Sequence, residues 1–330
     1  MSTQLNKVAI KAKCEPNCQF TSLAHLLTPA FLLETWEQIN KRGAAGIDRV
    51  SIREYERNLK ENIDTLIHCL KKQGYRAPVI RRVEIPKSDG RTRPLGITTV
   101  EDRLLQRAVA KILMAIYEQD YLDCSFGFRP KRNPHQALSK LRSHFIGNKV
   151  TYVLEADIES YFDKINHQWI IRMLKHRIKD KIILRLIGKW LKAGVMINGV
   201  VHTRDEGTHQ GGPISVVLAN IYLHYALDLW FEKRIKPTLQ GEAYLIRFVD
   251  DFVVCFQKEN ELNKFQEMLN ERFRKFGLQL SPKKTKGMKF GRFAREDLVK
   301  IGKKPDTFEF LGWAYCKLKS VIKLEKIFIK

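Results

Sequence analysis

The feature of this chain that most restricts its fold is a pair of adjacent aspartates inside an apolar segment. Asp250 and Asp251 interrupt residues 247–256, which are otherwise mostly β-branched or aromatic. Such residues favour strands, so the segment predicts a hairpin with the aspartates at or beside its turn. Burying unpaired carboxylates is costly, and a bound divalent cation would offset that cost. An exposed Asp-Asp turn is the simpler alternative, and this segment alone does not decide between the two.

A second segment that resembles a strand also leads to an acidic residue. Residues 151–156 precede Asp157 and are mostly apolar or aromatic. If the fold places the two segments side by side, Asp157 lies against Asp250 and Asp251. Three carboxylates at one point repel one another and are stable only around cations. Two metal ions about 4 Å apart are a known arrangement for in-line phosphoryl transfer.

A glycine-rich turn lies between the two acidic segments. In Gln210-Gly211-Gly212-Pro213, the glycines allow a ligand to approach the backbone, and proline suits the first turn of a helix. Apolar residues recur at three- and four-residue steps from Ile214 to Leu229, which predicts a packed helix. A loop and helix start without a ligand is the alternative. Beside the acidic segments, the turn is expected to present Gln210 to a nucleotide or template base.

These motifs, in this order, resemble the reverse transcriptases encoded by group II introns. The similar segments are 43–48, 85–97, 101–112, 125–130, 157–162, 210–222, 247–252, 277–286 and 308–313. The resemblance implies an α+β fold with the fingers and palm of a right-hand polymerase. The palm is expected to be ferredoxin-like, with an antiparallel sheet and packed helices. The expected domains are an N-terminal arm at 1–30, an N-terminal extension with fingers at 31–150, and a palm at 151–330 that contains a fingers segment at about 165–205.

The chain departs from the family pattern in two places. The usual Tyr-Ala before the paired aspartates is Phe248-Val249 here. This difference is expected to alter packing at the primer end or fidelity while the metal-binding carboxylates are retained. Family members commonly continue into a helical thumb or maturase region and sometimes an endonuclease, whereas this sequence ends at Lys330. The thumb is therefore expected to be absent, and three explanations stay open: a second polypeptide that supplies it, a dimer partner that supplies it, or simple truncation.

The resemblance also implies the metal ligands. Asp157, Asp250 and Asp251 are the expected catalytic residues, and with the carbonyl of Ile158 they would hold two Mg²⁺ ions. Mn²⁺ is the expected substitute. Bound in this way, the ions would promote attack by a primer 3′ hydroxyl and neutralise charge on the phosphates.

Further residues are expected to bind the nucleotide, again by resemblance. They are Lys87, Arg93, Phe162, Gln210, Gly211 and Lys284. Lys87 and Arg93 would hold the triphosphate, and Phe162 would exclude a ribose 2′ hydroxyl. Gln210 and Gly211 would line the new base pair, and Lys284, or Lys283 or Lys286 in its place, would lie near the leaving pyrophosphate. Solvated lysines, an exposed basic hairpin and a core aromatic are the plainer alternatives for these side chains.

Charge supports a nucleic-acid enzyme without proving it. Lys and Arg number 59 against 36 Asp and Glu, a net charge of +23, which favours salt-dependent binding to polyanions. Basic ribosomal and membrane-surface proteins share this property. The six cysteines are scattered, which favours free thiols over a zinc site. No apolar run approaches about 20 residues and no secretory signal is recognisable, so a cytoplasmic protein that does not enter membranes is expected.

The expected function is RNA-directed DNA synthesis. The expected partners are dNTPs, an RNA template, a DNA or RNA primer, and group II intron RNA. Arg129, Lys131 and Arg132 are expected to contact template phosphates. Two alternatives stay open: an RNA-binding splicing cofactor that does not need catalysis, and a relative that serves phage defence or a CRISPR-linked system.

Overall fold

The computed structural model describes residues 3–86, 90, 92–291, 307–318 and 321–326. The chain divides into two compact units. Unit 1 contains Met1–Asp120 and Phe162–Ile221, and unit 2 contains Tyr121–Tyr161 and Tyr222–Lys330. In this division residues 121–150 lie in the same unit as Asp157 and Asp251, and the expected fingers and palm bounds stay a prediction.

Eleven α-helices and eleven strands are assigned within the described residues. The helices are α1 (Thr3–Cys14), α2 (Pro29–Trp36), α3 (Ile52–Arg57), α4 (Leu59–Lys71), α5 (Val100–Tyr117), α6 (Pro134–Gly147), α7 (Tyr161–Lys164), α8 (His167–Leu174), α9 (Lys181–Leu191), α10 (Pro213–Leu223) and α11 (Glu259–Lys275). The strands are β1 (Ile80–Pro86), β2 (Thr92–Ile97), β3 (Tyr152–Ala156), β4 (Val195–Ile197), β5 (Val200–His202), β6 (Ala243–Phe248), β7 (Asp251–Phe256), β8 (Lys286–Lys289), β9 (Phe308–Phe310), β10 (Trp313–Leu318) and β11 (Val321–Lys326).

Helix α5 is the central helix of unit 1. Most of its residues are buried, and α1, α2 and α3 pack against it. The N-terminal arm expected from the sequence is instead helix α1, which buries Leu5 and Ala12. A four-stranded sheet in the order β2-β1-β4-β5 completes the unit. Its antiparallel strands β1 and β2 include most of the segment 85–97 that resembles the family, and β2 carries Arg93.

Unit 2 is built on an antiparallel sheet in the order β6-β7-β3-β8. Helix α11 packs against β3 and β7, and α6 packs against β6. Alternating strand residues such as Val153, Ile246 and Val253 point into a core that they share with Phe145 and Phe290. A three-stranded sheet, β11-β10-β9, follows in the chain. This arrangement confirms the α+β palm expected from the sequence and brings the strands that lead to Asp157 and Asp251 into one sheet.

The long helical stretch Pro213–Thr238 is apolar enough to cross a membrane by length and composition alone. Its apolar run is interrupted by charged residues such as Asp228 and Lys233, so the sequence pattern does not indicate a membrane span. Of its most apolar window, 78 % is buried inside the protein. This degree of burial is typical of a core helix in a globular fold.

Candidate active site

The paired aspartates lie at the tip of a tight hairpin. Strands β6 and β7 are antiparallel, and their last residue pair is Phe248 with Asp251. The loop between the strands therefore consists of two residues, Val249 and Asp250. This geometry confirms the hairpin predicted from the sequence, with its turn at the aspartates.

The first residue of this turn has a strained backbone. Val249 has a φ of +61°, a region in which β-branched residues are rare and energetically costly. Its side chain is buried, and Gly127 lies directly against it. A Cβ atom on Gly127 would lie 2.6 Å from the Val249 backbone nitrogen. Because only glycine leaves this space, the residue at 127 limits where the turn can lie.

A buried ion pair holds the same turn. The Arg247 guanidinium donates to both carboxylate oxygens of Asp228, at 2.7 and 2.6 Å. It also donates to the Ser125 hydroxyl at 2.8 Å and to the Val249 carbonyl at 2.9 Å. Burial disfavours the charge of Arg247, but the Asp228 carboxylate outweighs that effect and the Arg247 pKa is raised. A permanently charged donor therefore fixes the carbonyl of the strained residue.

Strand pairing places Asp157 beside Asp251. Ala156 pairs with Phe252 in the β3–β7 ladder, and Asp157 and Asp251 are the next residues towards the hairpin tip. An isolated bridge between Ile158 and Leu280 follows. The Asp157 carbonyl accepts from the Ser281 amide at 2.8 Å, next to this bridge. The main chain around Asp157 is thus held on both sides, by β7 and by residues 280–281.

The carboxyl groups at the hairpin tip repel one another. Asp251 is exposed as a whole residue, but its carboxyl group has lost part of its hydration. This desolvation, followed by repulsion from Asp250 and Asp157, raises the pKa of Asp251 to about 7. The Lys284 ammonium lies 2.8 Å from Asp157 Oδ2 and opposes the shift. The pKa of Asp251 is raised overall, so the positive charge of Lys284 offsets only part of the repulsion among the carboxylates.

The chemistry of these donors fits a divalent cation. Oxygen ligands from carboxylates suit Mg²⁺, and a cation would relieve their repulsion. Asp157 and Asp251 are adjacent at the hairpin tip. Asp250 lies in the turn, and its negative charge raises the pKa of Asp251. Within the described ranges, no three His, Cys, Asp or Glu side chains converge closely enough to form a metal-binding group. The arrangement is two adjacent carboxylates with a third nearby, and the binding of a metal by all three stays a prediction.

A cavity of about 500 Å³ adjoins this acidic pair within unit 2. Its lining includes Asp157, Asp251, Lys283, Lys284 and Glu309. Both carboxylates that could hold a cation and lysines that could bind phosphate therefore face one space. This combination suits a ligand that carries phosphate groups and a bound cation.

In unit 1, Arg93 and the glycine-rich turn come together. The Arg93 Nε donates to Gln210 Oε1 at 2.8 Å, and the Gly96 amide donates to the Gln210 carbonyl at 2.7 Å. Gly211 follows with a φ of +107°, which favours glycine. The β1–β2 hairpin and the predicted glycine-rich turn are therefore in contact within unit 1, although they are far apart in sequence.

Phe162 is buried in unit 1, and its carbonyl accepts from the Thr208 amide at 2.7 Å. Its role in excluding a 2′ hydroxyl stays a prediction. Lys87 lies outside the described residues, as do the neighbouring turn residues 88, 89 and 91.

The prediction that Arg129 contacts template phosphates is wrong. The residue is 7 % exposed, and its guanidinium donates to the carbonyls of Leu122 and Ser125 at 2.8 and 2.7 Å. Its charge therefore supports the loop that precedes Gly127. Arg132 pairs with the exposed Asp123 at 2.7 Å, and the contacts of Lys131 and Arg132 with template phosphates stay a prediction.

Sequence reasoning did not identify Arg247, Asp228 or Gly127 as supports of the acidic turn. A signal for the ion pair is nevertheless present. Arg247 is a charged residue in an apolar strand, and Asp228 is a charged residue in an apolar helical stretch. Two single charges of opposite sign in buried segments favour pairing, since each is costly to bury alone.

Comparison with known proteins agrees with this geometry. The profile of the family described as "Reverse transcriptase (RNA-dependent DNA polymerase)" matches residues 85–315. The chain is 34 % identical over 259 residues to the group II intron-encoded protein LtrA of Lactococcus lactis subsp. cremoris, covering 75 % of this chain and 43 % of LtrA. It is also 34 % identical over 250 residues to the protein YkfC of Escherichia coli strain K12, covering 74 % and 65 % of the two chains. The chain thus spans less than two thirds of either relative.

Solved structures share the fold at low sequence identity. Telomerase from Candida albicans, in complex with a fragment of telomeric RNA, aligns with a TM-score of 0.57 and 13 % identity over 84 % of this chain and 52 % of that one. Apo telomerase from Candida tropicalis aligns with a TM-score of 0.55 and 14 % identity over 75 % and 48 %. The family match contains both acidic strands, the glycine-rich turn and Arg93. This chain therefore belongs to the reverse transcriptase (RNA-dependent DNA polymerase) family.

Proposed function

We propose that this chain is an RNA-directed DNA polymerase of the group II intron type. The observation that carries the proposal is the adjacency of Asp157 and Asp251 at a rigidly held turn, within a chain of this family. In the proposed reaction, the primer 3′ oxygen attacks the α-phosphorus of a dNTP. The bond from that phosphorus to the pyrophosphate oxygen breaks, and the hydroxyl proton leaves.

Family membership implies a nucleotidyltransferase that uses a divalent metal and binds a nucleic-acid template and primer. We propose Mg²⁺ as the metal, with Mn²⁺ as a substitute. Asp157, Asp250, Asp251 and the Ile158 carbonyl would hold it. When bound, the metal lowers the pKa of the attacking hydroxyl and neutralises charge on the phosphates.

The chain's own residues prepare this site. Arg247 and Gly127 fix the turn, so the carboxylates of Asp250 and Asp251 start close to their working positions and little reorganisation is needed. Lys284 is 54 % exposed at its side chain. It can therefore exchange the Asp157 carboxylate for a phosphate oxygen of the leaving group.

The nucleotide-binding roles are proposed for residues of unit 1. The guanidinium of Arg93 can bind phosphate oxygens in a bidentate manner, which the ammonium of Lys87 cannot. Gln210 already accepts a hydrogen bond from Arg93, so triphosphate binding and base-pair contact would be linked through one pair of side chains. Gly211 would line the base pair, and Phe162 would favour dNTPs over ribonucleotides.

Primer extension tests the proposal. The purified chain is given an RNA template with an annealed primer, dNTPs and Mg²⁺, beside the variant Asp250→Asn. Asparagine has nearly the same shape but cannot supply the negative charge. The proposal expects primer extension by the wild type and its loss in the variant, with RNA binding retained. Extension that survives in Asp250→Asn would contradict it, and intron splicing assistance that survives would instead support the splicing-cofactor alternative.

A further inference from the structure

Helices α8 and α9 of unit 1 border a second cavity, of about 470 Å³. None of the residues assigned above to the polymerase reaction lines it. Ile171 and Leu191 give it an apolar surface, and Arg172, Lys175 and Lys192 contribute exposed cations. The lining contains no Asp or Glu. The cavity therefore combines an apolar surface with concentrated positive charge.

The cations of this cavity are not used in ion pairs of the described residues. The ion pairs that this part of unit 1 does form involve Lys164, Arg177 and Arg204. Arg172 stands 4.7 Å from the Trp169 ring centroid, which orients its guanidinium but leaves its charge uncompensated. The two lysines lie at the C-terminal ends of α8 and α9, where the helix dipole favours cations. The helix dipole explains why lysines are tolerated at these positions, but it does not explain why both lysines line one cavity.

Gly188 is the more unusual residue of the lining. It lies inside helix α9, where glycine is unfavourable relative to alanine. A Cβ atom at this position would meet no other atom within 4 Å, so packing inside the protein does not require glycine. Its φ is not positive either. The missing side chain keeps the helix surface open on the cavity, as a ligand that approaches the helix backbone would require.

We propose that this cavity binds one nucleotide of a single-stranded nucleic acid, outside the residues that carry the reaction. The phosphates lie against Arg172, Lys175 and Lys192, and the sugar or base lies against Ile171 and Leu191 and over Gly188. This ligand matches both halves of the lining, because a nucleotide has an anionic and a flat apolar part. The chain's net charge of +23 favours the same class of partner.

Fluorescence anisotropy with labelled oligonucleotides tests the assignment. The probes are single-stranded oligouridine and oligothymidine of about 16 nucleotides. Binding is measured in the full-length Asp250→Asn background without dNTPs or divalent cations, so the outcome does not depend on catalysis. The double variant Lys175→Gln/Lys192→Gln is expected to bind about tenfold more weakly and to reduce the slope of log affinity against log salt by about 1.4, or about 0.7 for each lost contact.

The matched control removes the same charge elsewhere on unit 1. Lys179 and Lys181 are exposed, flank the start of α9 and do not line the cavity. Lys179→Gln/Lys181→Gln is expected to bind within a few-fold of the parent protein. Equal losses in the two double variants would overturn the proposal, because they would show that only total charge matters. Weakening with RNA alone assigns the site to RNA, and equal weakening with both probes assigns it to the backbone chemistry that RNA and DNA share.

Gly188→Ala separates ligand binding from folding. The substitution is expected to raise the midpoint of thermal unfolding by about 2 °C while weakening oligonucleotide binding several-fold. If Gly188 had only a structural role, the more stable variant would not bind the oligonucleotide more weakly. Gly147→Ala is the control, because Gly147 ends helix α6 and also faces open space. Unchanged oligonucleotide affinity in Gly188→Ala would overturn the proposal, and so would equal weakening in Gly188→Ala and Gly147→Ala. A competition experiment adds a third test. If polyglutamate displaces the labelled probe as effectively as unlabelled oligonucleotide does, the proposal is also overturned.

Discussion

Two aspartates, one in each unit, have pKa values that are raised first by desolvation, but the groups around them differ. Asp102 of helix α5 is almost fully buried, and desolvation raises its pKa. The Tyr75 hydroxyl, the Trp190 indole and the Gln106 amide all donate to its carboxylate and oppose the shift. Asp251 is also desolvated, but its nearest charged neighbours are further carboxylates that raise its pKa again.

The difference shows that a shifted pKa does not by itself mark a reactive site. Asp102 accepts hydrogen bonds from Gln106 of its own helix and from Tyr75 and Trp190 elsewhere in unit 1, so it joins these parts and contributes to folding. Asp251 faces Asp157 and Asp250. The repulsion among these carboxylates lowers the free energy of unfolding, and a bound cation would raise it again. Burial therefore does not distinguish a candidate catalytic acid from a structural one. The difference is that the candidate catalytic acid has neighbouring carboxylates and too few hydrogen-bond donors to offset them.

The largest expected effect on stability comes from Arg247, which supports the crowded site. Arg247→Met leaves the carboxylate of Asp228 buried without a partner, which is expected to cost about 3–5 kcal/mol in the free energy of unfolding. Urea unfolding measures this change. Arg132→Met removes an ion pair with the exposed Asp123 and should cost below about 1 kcal/mol. Similar losses in the two variants would show that the buried pair has no special role.

Gly127→Ala tests whether the position of the acidic turn matters for the reaction. The added methyl group would press on Val249, so DNA synthesis is expected to fall about tenfold to a hundredfold. Primer extension per folded molecule is the measurement. Gly147→Ala, which adds a methyl group in open space, should leave synthesis unchanged. Normal synthesis by Gly127→Ala would mean that the turn tolerates displacement.

Asp102→Asn tests the structural member of the comparison. An asparagine at this position can accept fewer of the three hydrogen bonds, so one buried donor is left unpaired at a cost of about 1–3 kcal/mol. Urea unfolding should show this loss. Synthesis per folded molecule should stay at the wild-type value, and a selective loss of synthesis would place Asp102 in the catalytic machinery.

Acid sensitivity is the smallest effect at neutral pH. Burial lowers the pKa of His209 and that of His224 from 6.5 to about 4. In the unfolded chain these histidines bind protons near pH 6.5, so the folded state loses stability as the pH falls from about 6.5 towards 4. His209→Gln should make the decline in the thermal unfolding midpoint less steep over this interval. An unchanged decline would show that His209 does not contribute to it.

The acidic hairpin and the α+β class were predictable because apolar strands, paired aspartates and a glycine-rich turn are local patterns. The supports of the site were not, because they depend on distant contacts. Nothing near Gly127 in the sequence shows that Val249 lies against it, and Arg129 looked like a surface cation until its two carbonyl partners were known. Likewise, the apolar spacing of residues 52–71 does not show that they form two helices, α3 and α4, which are separate because the chain leaves helical geometry at Asn58, with φ −118° and ψ 36°.

The most direct test of this account compares Asp251→Asn with Asp102→Asn in primer extension on an RNA template, with each rate divided by the folded fraction. The two changes are chemically identical and both act on acids with raised pKa values. We expect Asp251→Asn to lose synthesis by at least about a thousandfold, or about 4 kcal/mol, without losing stability, and Asp102→Asn to lose stability while it keeps its rate. Equal rates in the two variants, or loss of synthesis only in Asp102→Asn, would contradict it.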